Sequence, residues 1–281
     1  MYTILAPAKI NLALDVISKR ADGYHEIDSV MQSIALADQL SFEDSRGIEL
    51  TSNNQNIPTD ENNLVWKAAK LLQNKTGVSR GVKIHLTKNV PVSAGLGGGS
   101  SDAAAALIAL NAIWELGLSR QQLIELAVEI GADVPFCVHQ GTARARGIGE
   151  KLNKINHNLQ CNLLLVTPNV SISTALIYKK LDFADEVKHP EVDKVVKSLE
   201  TGDIQLLTAN LGNVLEEIVL QEFPIIADVK RYFASYGLSA NLMSGSGSSV
   251  FALNPPQDVV EPFLSGIPEG WFGCFTHFQN K

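Results

Sequence analysis

The chain of 281 residues is 45% hydrophobic, so it can bury a sizeable core in one large domain or two modest ones. A disordered or fibrous protein is not expected from this composition. The formal net charge of −7 argues against a general affinity for nucleic acid, because the field of the protein would repel a phosphate backbone. An anionic ligand would therefore need a local positive site.

The targeting and redox signals indicate a cytoplasmic protein without a membrane partner. The N-terminal segment has no basic region before an apolar stretch, and no apolar run approaches the ~20 residues that a spanning helix needs. Cys137, Cys161 and Cys274 are widely separated and lack CxxC spacing, which predicts reduced thiols rather than disulfides or a zinc site. His85 and His139 stand alone, so no transition-metal site is expected.

The first elements follow from the period of the apolar residues. Residues 10–16 alternate apolar with polar or small side chains, which predicts a half-buried strand with Lys9 and Asn11 on its other face. Helical spacing over residues 62–73 predicts a helix, and alternation over residues 82–86 predicts a second strand.

Two further helices are expected before residue 140. A glycine-rich loop over residues 93–101 leads into an alanine-rich segment that favours a helix. The next helix is predicted to begin with Ser119 and Gln122, which are spaced as a capping box, and to end at Gly131 in a left-handed cap. Asp133 would then lie just beyond a helix end.

The second half of the chain mixes helical and strand-like patterns. A polar stretch near residues 151–160 predicts a domain boundary, which divides the chain into residues 1–155 and 156–281. Helical patterns over residues 210–219 and 225–236 precede strand-like stretches at 240–243 and 249–253. Because no regular strand–helix–strand rhythm is present, we expect an α+β fold rather than a doubly wound sheet.

The glycine-rich loop has the design of a phosphate site. Glycines let the backbone bring several N–H groups close to an anion, and the positive end of the following helix adds to the attraction. The residues in question are Gly95, Gly97, Gly98 and Gly99, followed by Ser100 and Ser101, whose hydroxyls could cap the helix or meet phosphate or a metal ion. A flexible linker would not normally run into a capped amphipathic helix. The loop lacks the GK[ST] ending of a Walker motif and the last glycine of GxGxxG, so another phosphate-binding class is required.

At this point the sequence resembles the galactokinase, homoserine kinase, mevalonate kinase and phosphomevalonate kinase superfamily. The loop GLGGGSSDAA is similar to its second signature, and LMSGSGSSVFAL is similar to its third. The blocks PAKINLALDV, DGYH and GADVPF resemble the superfamily branch that acts on a cytidine-containing acceptor. These matches run from Pro7 to Phe251.

The resemblance implies a two-domain α+β small-molecule kinase. Its N-terminal, ATP-binding domain would resemble a domain of a ribosomal protein, and its C-terminal, substrate-side domain would be ferredoxin-like. It further implies transfer of the γ-phosphoryl group of ATP, with Mg²⁺, to the carbon-two hydroxyl of 4-diphosphocytidyl-2-C-methyl-D-erythritol in non-mevalonate isoprenoid precursor biosynthesis.

The resemblance also implies roles for individual residues. Asp133 would accept or orient the proton of the attacking hydroxyl, and Lys9 would hold Asp133 ionised and counter developing charge. Taken alone, Lys9 reads as a surface charge and Asp133 as a turn residue. The expected nucleotide-binding residues are Pro91, Ala94, Gly95, Leu96, Gly97, Gly98, Gly99, Ser100, Ser101, Lys88 and Asn63. No protein residue is assigned as a metal ligand.

The acceptor residues implied by the resemblance are Asn11, Asp22, Tyr24, His25 and Tyr178. An aromatic face beside an imidazole can stack on a pyrimidine and hydrogen-bond to its edge. Without the surrounding signature, DGYH reads as a β-turn with a buried tyrosine.

Three alternatives stay open from the sequence. Another kinase of the superfamily, such as a homoserine or mevalonate kinase, would share the loop but lack DGYH. A non-catalytic ligand sensor would not need both Lys9 and Asp133. A nucleic-acid-binding module conflicts with the negative charge and lacks a basic aromatic stripe.

Overall fold

Strands and helices are interspersed along the chain in the computed structural model, which describes residues 1–182, 184 and 187–280. The strands are β1 (Tyr2–Lys19), β2 (His25–Glu43), β3 (Ile48–Ser52), β4 (Val82–Thr87), β5 (Thr142–Gly147), β6 (Lys151–Lys154), β7 (Asn162–Thr167), β8 (Gly212–Asn213), β9 (Asn241–Met243), β10 (Val250–Leu253) and β11 (Phe272–His277). The helices are α1 (Leu64–Thr76), α2 (Gly98–Ile113), α3 (Arg120–Ala127), α4 (Val134–His139), α5 (Thr174–Leu181), α6 (Val192–Thr201), α7 (Ile204–Asn210), α8 (Glu216–Glu222), α9 (Pro224–Ser235) and α10 (Gln257–Ser265).

Two compact units are built from alternating stretches of the chain. The first unit consists of Met1–Lys9, Leu36–Val92 and Gly97–Gln140. The second consists of Ile10–Ala35, Ser93–Leu96 and the described residues from Gly141 onward. The predicted boundary between residues 155 and 156 is a single cut along the chain, whereas each compact unit combines several separate stretches. The boundary stays a prediction.

The first unit carries a sheet in which β4 lies between β3 and β2. Strand β3 runs parallel to β4, with Ile48 opposite Val82, and β4 runs antiparallel to β2, with Leu86 opposite Leu40. Helix α2 packs against α1 and α4, and its small alanine side chains, buried from residue 103 to 106, let these helices approach closely. The strand expected at residues 82–86 and the helix expected at 62–73 are confirmed as β4 and α1.

The ends of α3 show one correct and one wrong expectation. The capping box is present, because the Ser119 side chain accepts from the backbone of Gln122 and the Gln122 side chain accepts from the backbone of Ser119. The predicted left-handed end at Gly131 is wrong. Helix α3 ends at Ala127, and non-helical turns occupy the residues that follow. The local capping pattern thus predicts where α3 starts, but residue type alone does not predict where it ends.

The second unit contains two groups of paired strands. Strand β2 pairs antiparallel with β5, which pairs with β6, and β1 pairs parallel with β8. A four-stranded antiparallel sheet has the order β11-β7-β10-β9, with Leu165 opposite both Phe251 and Cys274. The strand-like stretches predicted at 240–243 and 249–253 are confirmed as β9 and β10. The helix predicted over 210–219 is wrong in part, since the short strand β8 lies between α7 and α8.

Strand β1 is buried on both faces over residues 6–16, where the sequence predicted burial on one face only. The polar residues of the other face are buried because each has a partner: Lys9 pairs with Asp133 and Asn11 with Ser29, while Asp15 accepts a hydrogen bond from His189. Among the described residues, no helix is both long and apolar enough to cross a lipid bilayer.

Candidate active site

Helix α2 begins at Gly98, inside the predicted phosphate loop. Gly97 is its N-cap residue in a left-handed conformation, and no side chain caps the helix. The sequence predicts that Ser101 can cap this helix, but it does not. Its buried hydroxyl donates instead to the Pro7 carbonyl at 2.6 Å. The first N–H groups of a helix lack intrahelical acceptors, so this uncapped end can receive an anion.

The side chain of Lys9 lies directly against Gly97. A Cβ atom at Gly97 would lie 3.0 Å from Lys9 Cγ and 3.1 Å from its Cε, and the φ of +65° at Gly97 also disfavours a side chain. Lys9 Nζ is 3.6 Å from Asp133 Oδ2. The Lys9 side chain is 5% exposed and that of Asp133 is 33% exposed. The predicted catalytic pair is thus brought together beside the phosphate loop, with the carboxylate partly open to solvent.

Asp133 stands at the start of a helix rather than beyond the end of one. It is the N-cap residue of α4, yet its side chain makes no capping hydrogen bond, and Pro135 follows in the first turn. Burial, followed by the charge of Asp133, raises the pKa of the Cys137 thiol one turn later. Because the Asp133 carboxylate makes no capping hydrogen bond and lies 3.6 Å from Lys9 Nζ, it is directed to Lys9 instead of to its own helix.

Lys88, a predicted nucleotide contact, lies in a buried group of charges that sequence reasoning missed. Its ammonium contacts the carboxylates of Asp38 and, at 2.8 Å, Asp102, and the three side chains are between 0 and 5% exposed. We call these three residues the charge triad. Asp38 also accepts hydrogen bonds from the backbone N–H groups of Asn89, at 2.6 Å, and Val90, at 2.8 Å.

The electrostatics of the charge triad are unbalanced, because two carboxylates share one ammonium. Burial raises the pKa of Asp102 to about 8, against the opposing effect of Lys88. Burial disfavours the charged form of Lys88, but Asp102 and Asp38 outweigh it and raise its pKa. We take the ammonium as charged and the second carboxylate as unusually easy to protonate. Asp102 Oδ1 is buried without a hydrogen-bond partner, as expected for a site with too few donors.

Asn63 and Pro91, two other predicted nucleotide residues, have clear structural positions. Asn63 is the N-cap residue of α1, where its side chain accepts from Val65 N at 2.9 Å and donates to the Pro58 carbonyl at 2.7 Å. Pro91 is half-buried between β4 and the loop. Roles for Asn63 and Lys88 in nucleotide binding stay predictions.

In the second unit, the start of the phosphate loop packs against the glycine-rich segment 244–249. The Ser244 hydroxyl donates to the Gly95 carbonyl at 2.9 Å and accepts from Asn11 N at 3.3 Å. Ser249 N donates to the Ala94 carbonyl at 3.1 Å. A Cβ atom at Gly95 would lie 2.1 Å from the Ser244 carbonyl oxygen, so only glycine fits there.

Two more of the predicted residues are held by this packing. Ala94 and Leu96 are buried and anchor the loop. The Asn11 side chain donates to Ser29 Oγ at 2.8 Å, and its Oδ1 is directed toward Gly245, whose Cβ position would lie 3.5 Å away. The second and third glycine-rich signatures thus meet beside Asn11.

Three of the predicted acceptor residues, Asp22, Tyr24 and His25, lie in or next to the turn between β1 and β2. Asp22 accepts from Tyr24 N at 3.1 Å and pairs with Arg20, which lowers the pKa of Asp22. Gly23 has a φ of +87°, as a tight turn requires, and Tyr24 is 58% exposed. The β-turn alternative is therefore correct about the backbone but wrong about a buried tyrosine.

His25 is brought together with Tyr178. Their ring centroids are 4.9 Å apart with an interplanar angle of 45°. His25 Nε2 is 2.8 Å from Asp182 Oδ1, and Lys19 contacts the other oxygen of the same carboxylate. Asp182 is a further residue that the sequence did not single out, because nothing in its local pattern indicates a contact 157 positions away.

Within the described ranges, no group of three or more His, Cys, Asp or Glu side chains is placed so that it could hold a metal ion. Mg²⁺ is commonly held by substrate phosphates and water with few protein ligands. The half-buried Ser100 hydroxyl, in the first turn of α2, is the donor that suits such an ion.

Comparisons with known proteins show the family to which this chain is similar. The model described as GHMP kinases N terminal domain matches residues 63–141, and that described as GHMP kinases C terminal matches residues 195–271. A 4-diphosphocytidyl-2-C-methyl-D-erythritol kinase of Bacillus pumilus is 47% identical over 264 residues, which are 93% of this chain and 91% of the relative.

The fold of this chain is similar to that of solved kinase structures. A crystal structure of 4-(cytidine 5'-diphospho)-2C-methyl-D-erythritol kinase covers 100% of both chains, with a TM-score of 0.84 and 33% identity. A homoserine kinase from Cytophaga hutchinsonii, 20% identical, has the same fold, with a TM-score of 0.77 over 99% of this chain and 94% of that chain. The expected two-domain fold of mixed α and β content is confirmed. The chain therefore belongs to the GHMP kinase family.

Proposed function

We propose that this chain transfers the γ-phosphoryl group of ATP to the carbon-two hydroxyl of 4-diphosphocytidyl-2-C-methyl-D-erythritol, in non-mevalonate isoprenoid precursor biosynthesis. The observation that carries the proposal is the Lys9–Asp133 pair beside the uncapped start of α2. A kinase needs an anion site and a group that handles the hydroxyl proton, and the uncapped start of α2 and the Asp133 carboxylate are proposed for these two roles. The acceptor's identity is supported by the name and the 47% identity of the relative.

Asp133 and Lys9 divide the proton and charge work in this proposal. The partly exposed Asp133 carboxylate accepts or orients the proton of the attacking hydroxyl. Lys9 Nζ, held within 3.6 Å, orients that carboxylate and counters negative charge on the transferring group. Burial of the Lys9 side chain against Gly97 supports an ammonium that is in position before substrate binds.

The phosphates of ATP are proposed to lie at the start of α2. The N–H groups of Gly98, Gly99 and Ser100 are the uncapped donors, and Gly97 allows the backbone to turn close to the anion. The proposal includes Mg²⁺ as an ion that enters together with the nucleotide. It would neutralise charge on the phosphates, and the Ser100 hydroxyl would be its protein ligand.

The acceptor end is proposed to be read by Tyr24, His25 and Tyr178. The exposed Tyr24 ring and the Tyr178 ring offer faces for stacking on cytosine, and His25 offers a ring nitrogen to the base edge. Asn11 and Asp22 are proposed to contact the rest of the acceptor.

The location and the domain boundary are part of the same proposal. A cytoplasmic location is supported by three thiols that occur as free cysteines. A boundary between residues 155 and 156 is supported by the two matched domain models, which end and begin on either side of it.

The test is release of ADP with the cytidine-containing acceptor, compared with homoserine, mevalonate and methylerythritol phosphate. We expect turnover with the first alone, and loss of that turnover in Asp133→Asn. Preferential phosphorylation of homoserine or mevalonate would replace the proposal with the alternative of another kinase of this family. Binding without ADP release would indicate a sensor.

A further inference from the structure

The imidazole of His25 is clamped by one face of helix α5. Tyr178 and Asp182 are four residues apart, so they lie on the same face at the end of that helix. The Tyr178 ring contacts the imidazole with centroids 4.9 Å apart, and Asp182 Oδ1 meets His25 Nε2 at 2.8 Å. The His25 side chain is only 10% exposed, so its ring is held in one orientation.

The carboxylate of Asp182 also determines which nitrogen of His25 carries a proton. Lys19 contacts the second oxygen of Asp182, and Lys19 first, then His25, lower the pKa of Asp182. An ionised carboxylate can only accept hydrogen bonds, so Nε2 of His25 must be the protonated nitrogen. In a neutral imidazole, Nδ1 is then an acceptor.

We propose that Asp182 is a positioning residue that, by fixing this tautomer of His25, selects cytosine over uracil at the acceptor site. Among the described residues, Asp182 is bound to Nε2 of His25. Nδ1 is then the ring nitrogen that can meet a ligand. Cytosine presents an exocyclic amino donor where uracil, like thymine, presents a carbonyl acceptor. An acceptor nitrogen therefore pairs with cytosine and opposes uracil. The inference rests on the proposed function, because it concerns the base of that acceptor.

Asp182→Asn provides the sharpest test because it should reverse the tautomer. The Lys19 ammonium can only donate, so it takes the amide oxygen of the new side chain and turns the amide NH₂ toward His25. Nε2 must then accept, and Nδ1 carries the proton. Asp182→Ala, which removes the contact without reversing it, is the second variant.

Glu222→Gln is the matched control. Glu222 pairs with Lys180 at 2.7 Å, so this change neutralises another carboxylate partner of α5 at a distance from the imidazole contact. kcat and KM are measured at pH 8 for the cytidine-containing acceptor, its uridine counterpart and ATP. The tautomer of His25 is read from the ¹⁵N chemical shifts of labelled histidine.

We expect the wild-type chain to carry the proton on Nε2 and to prefer the cytidine compound. Asp182→Ala should lower the cytidine-to-uridine ratio of kcat/KM by roughly 3- to 10-fold, the range of one hydrogen bond, mainly through KM of the acceptor. Asp182→Asn should lower it further and move the proton to Nδ1. KM for ATP should stay unchanged, and Glu222→Gln should behave as wild type.

A wild-type proton on Nδ1, an unchanged ratio in Asp182→Asn, or an equal loss in Glu222→Gln would overturn the inference. These results leave the proposed function standing as long as the wild-type chain turns over the cytidine compound. Failure of the wild-type chain to use it would instead overturn the proposed function, and the inference with it.

Discussion

Replacement of Lys88 by methionine should strongly destabilise the first unit. Methionine keeps an unbranched side chain but removes the ammonium shared by Asp38 and Asp102. Both carboxylates would stay buried, at 0 and 4% exposure, without their cation, and Asp102 Oδ1 already lacks a partner. Breaking a buried ion pair by removing one partner costs about 3–5 kcal/mol.

The pH dependence of this loss has a definite sign. Burial raises the pKa of Asp102 to about 8, and removal of Lys88 takes away the charge that opposes this rise. A carboxyl whose pKa is raised on folding binds its proton more tightly in the folded state, so stability is present at low pH and falls as pH rises toward 8. The destabilisation by Lys88→Met should therefore be larger at pH 8 than at pH 5.

Chemical denaturation at both pH values measures the change in the free energy of unfolding. Thermal unfolding should show a Tm lower by roughly 6–20 °C near neutral pH. Lys75→Met is the control, because Lys75 pairs with Glu129 at 2.8 Å on the surface and should cost less than about 1 kcal/mol. The double variant Lys88→Met, Asp102→Asn should recover part of the loss. Equal stability of the Lys88 and Lys75 variants, or a larger loss at pH 5, would refute the reasoning.

Asp133→Asn should keep ATP affinity but lower turnover by roughly 10²- to 10⁴-fold, as steady-state ADP release would measure; near-wild-type turnover would remove Asp133 from the mechanism. Lys9→Ala should lower turnover similarly, and the double variant should lose less than the sum, whereas full additivity would mean that the two act independently. Gly98→Val should weaken ATP binding in calorimetry, because an added Cβ already lies 3.2 Å from a neighbouring valine, and Gly99→Ala, with 3.9 Å of space, is the control that should bind normally. Tyr178→Ala should weaken the acceptor about 5- to 150-fold with little change for ATP, while Tyr178→Phe keeps the ring; equal losses for both ligands would make the tyrosine structural.

Local chemistry made part of the fold predictable. The capping box of Ser119 and Gln122 and the alternation that forms β4 depend on residues a few positions apart, and both are present. The sequence allows Ser101 to cap α2, but its hydroxyl donates instead to the Pro7 carbonyl, 94 positions away. The glycine at position 131 predicts a left-handed helix end, but α3 ends earlier, at Ala127.

The candidate site shows the same limit more clearly. Family motifs singled out Lys9 and Asp133, which the fold brings within 3.6 Å. They gave no indication of Asp38 or Asp182, because the partners of these carboxylates are 50 and 157 positions away. The motifs indicate Lys88 as a nucleotide contact, which stays a prediction, and they give no sign that two carboxylates bind its ammonium. Long-range charge pairing has no periodic signature, so it appears only in the folded chain.

The close approach of Gly95 to the Ser244 carbonyl ties the evolution of two distant segments together. A methyl group at position 95 would meet that oxygen at 2.1 Å, so a substitution there becomes acceptable only if the segment around Ser244 changes its path as well. Gly99, whose nearest neighbour would be 3.9 Å away, is not coupled in this way. In a combinatorial library, variation at Gly95 should show strong epistasis with residues 244–249, while Gly99 should tolerate alanine in an otherwise native background.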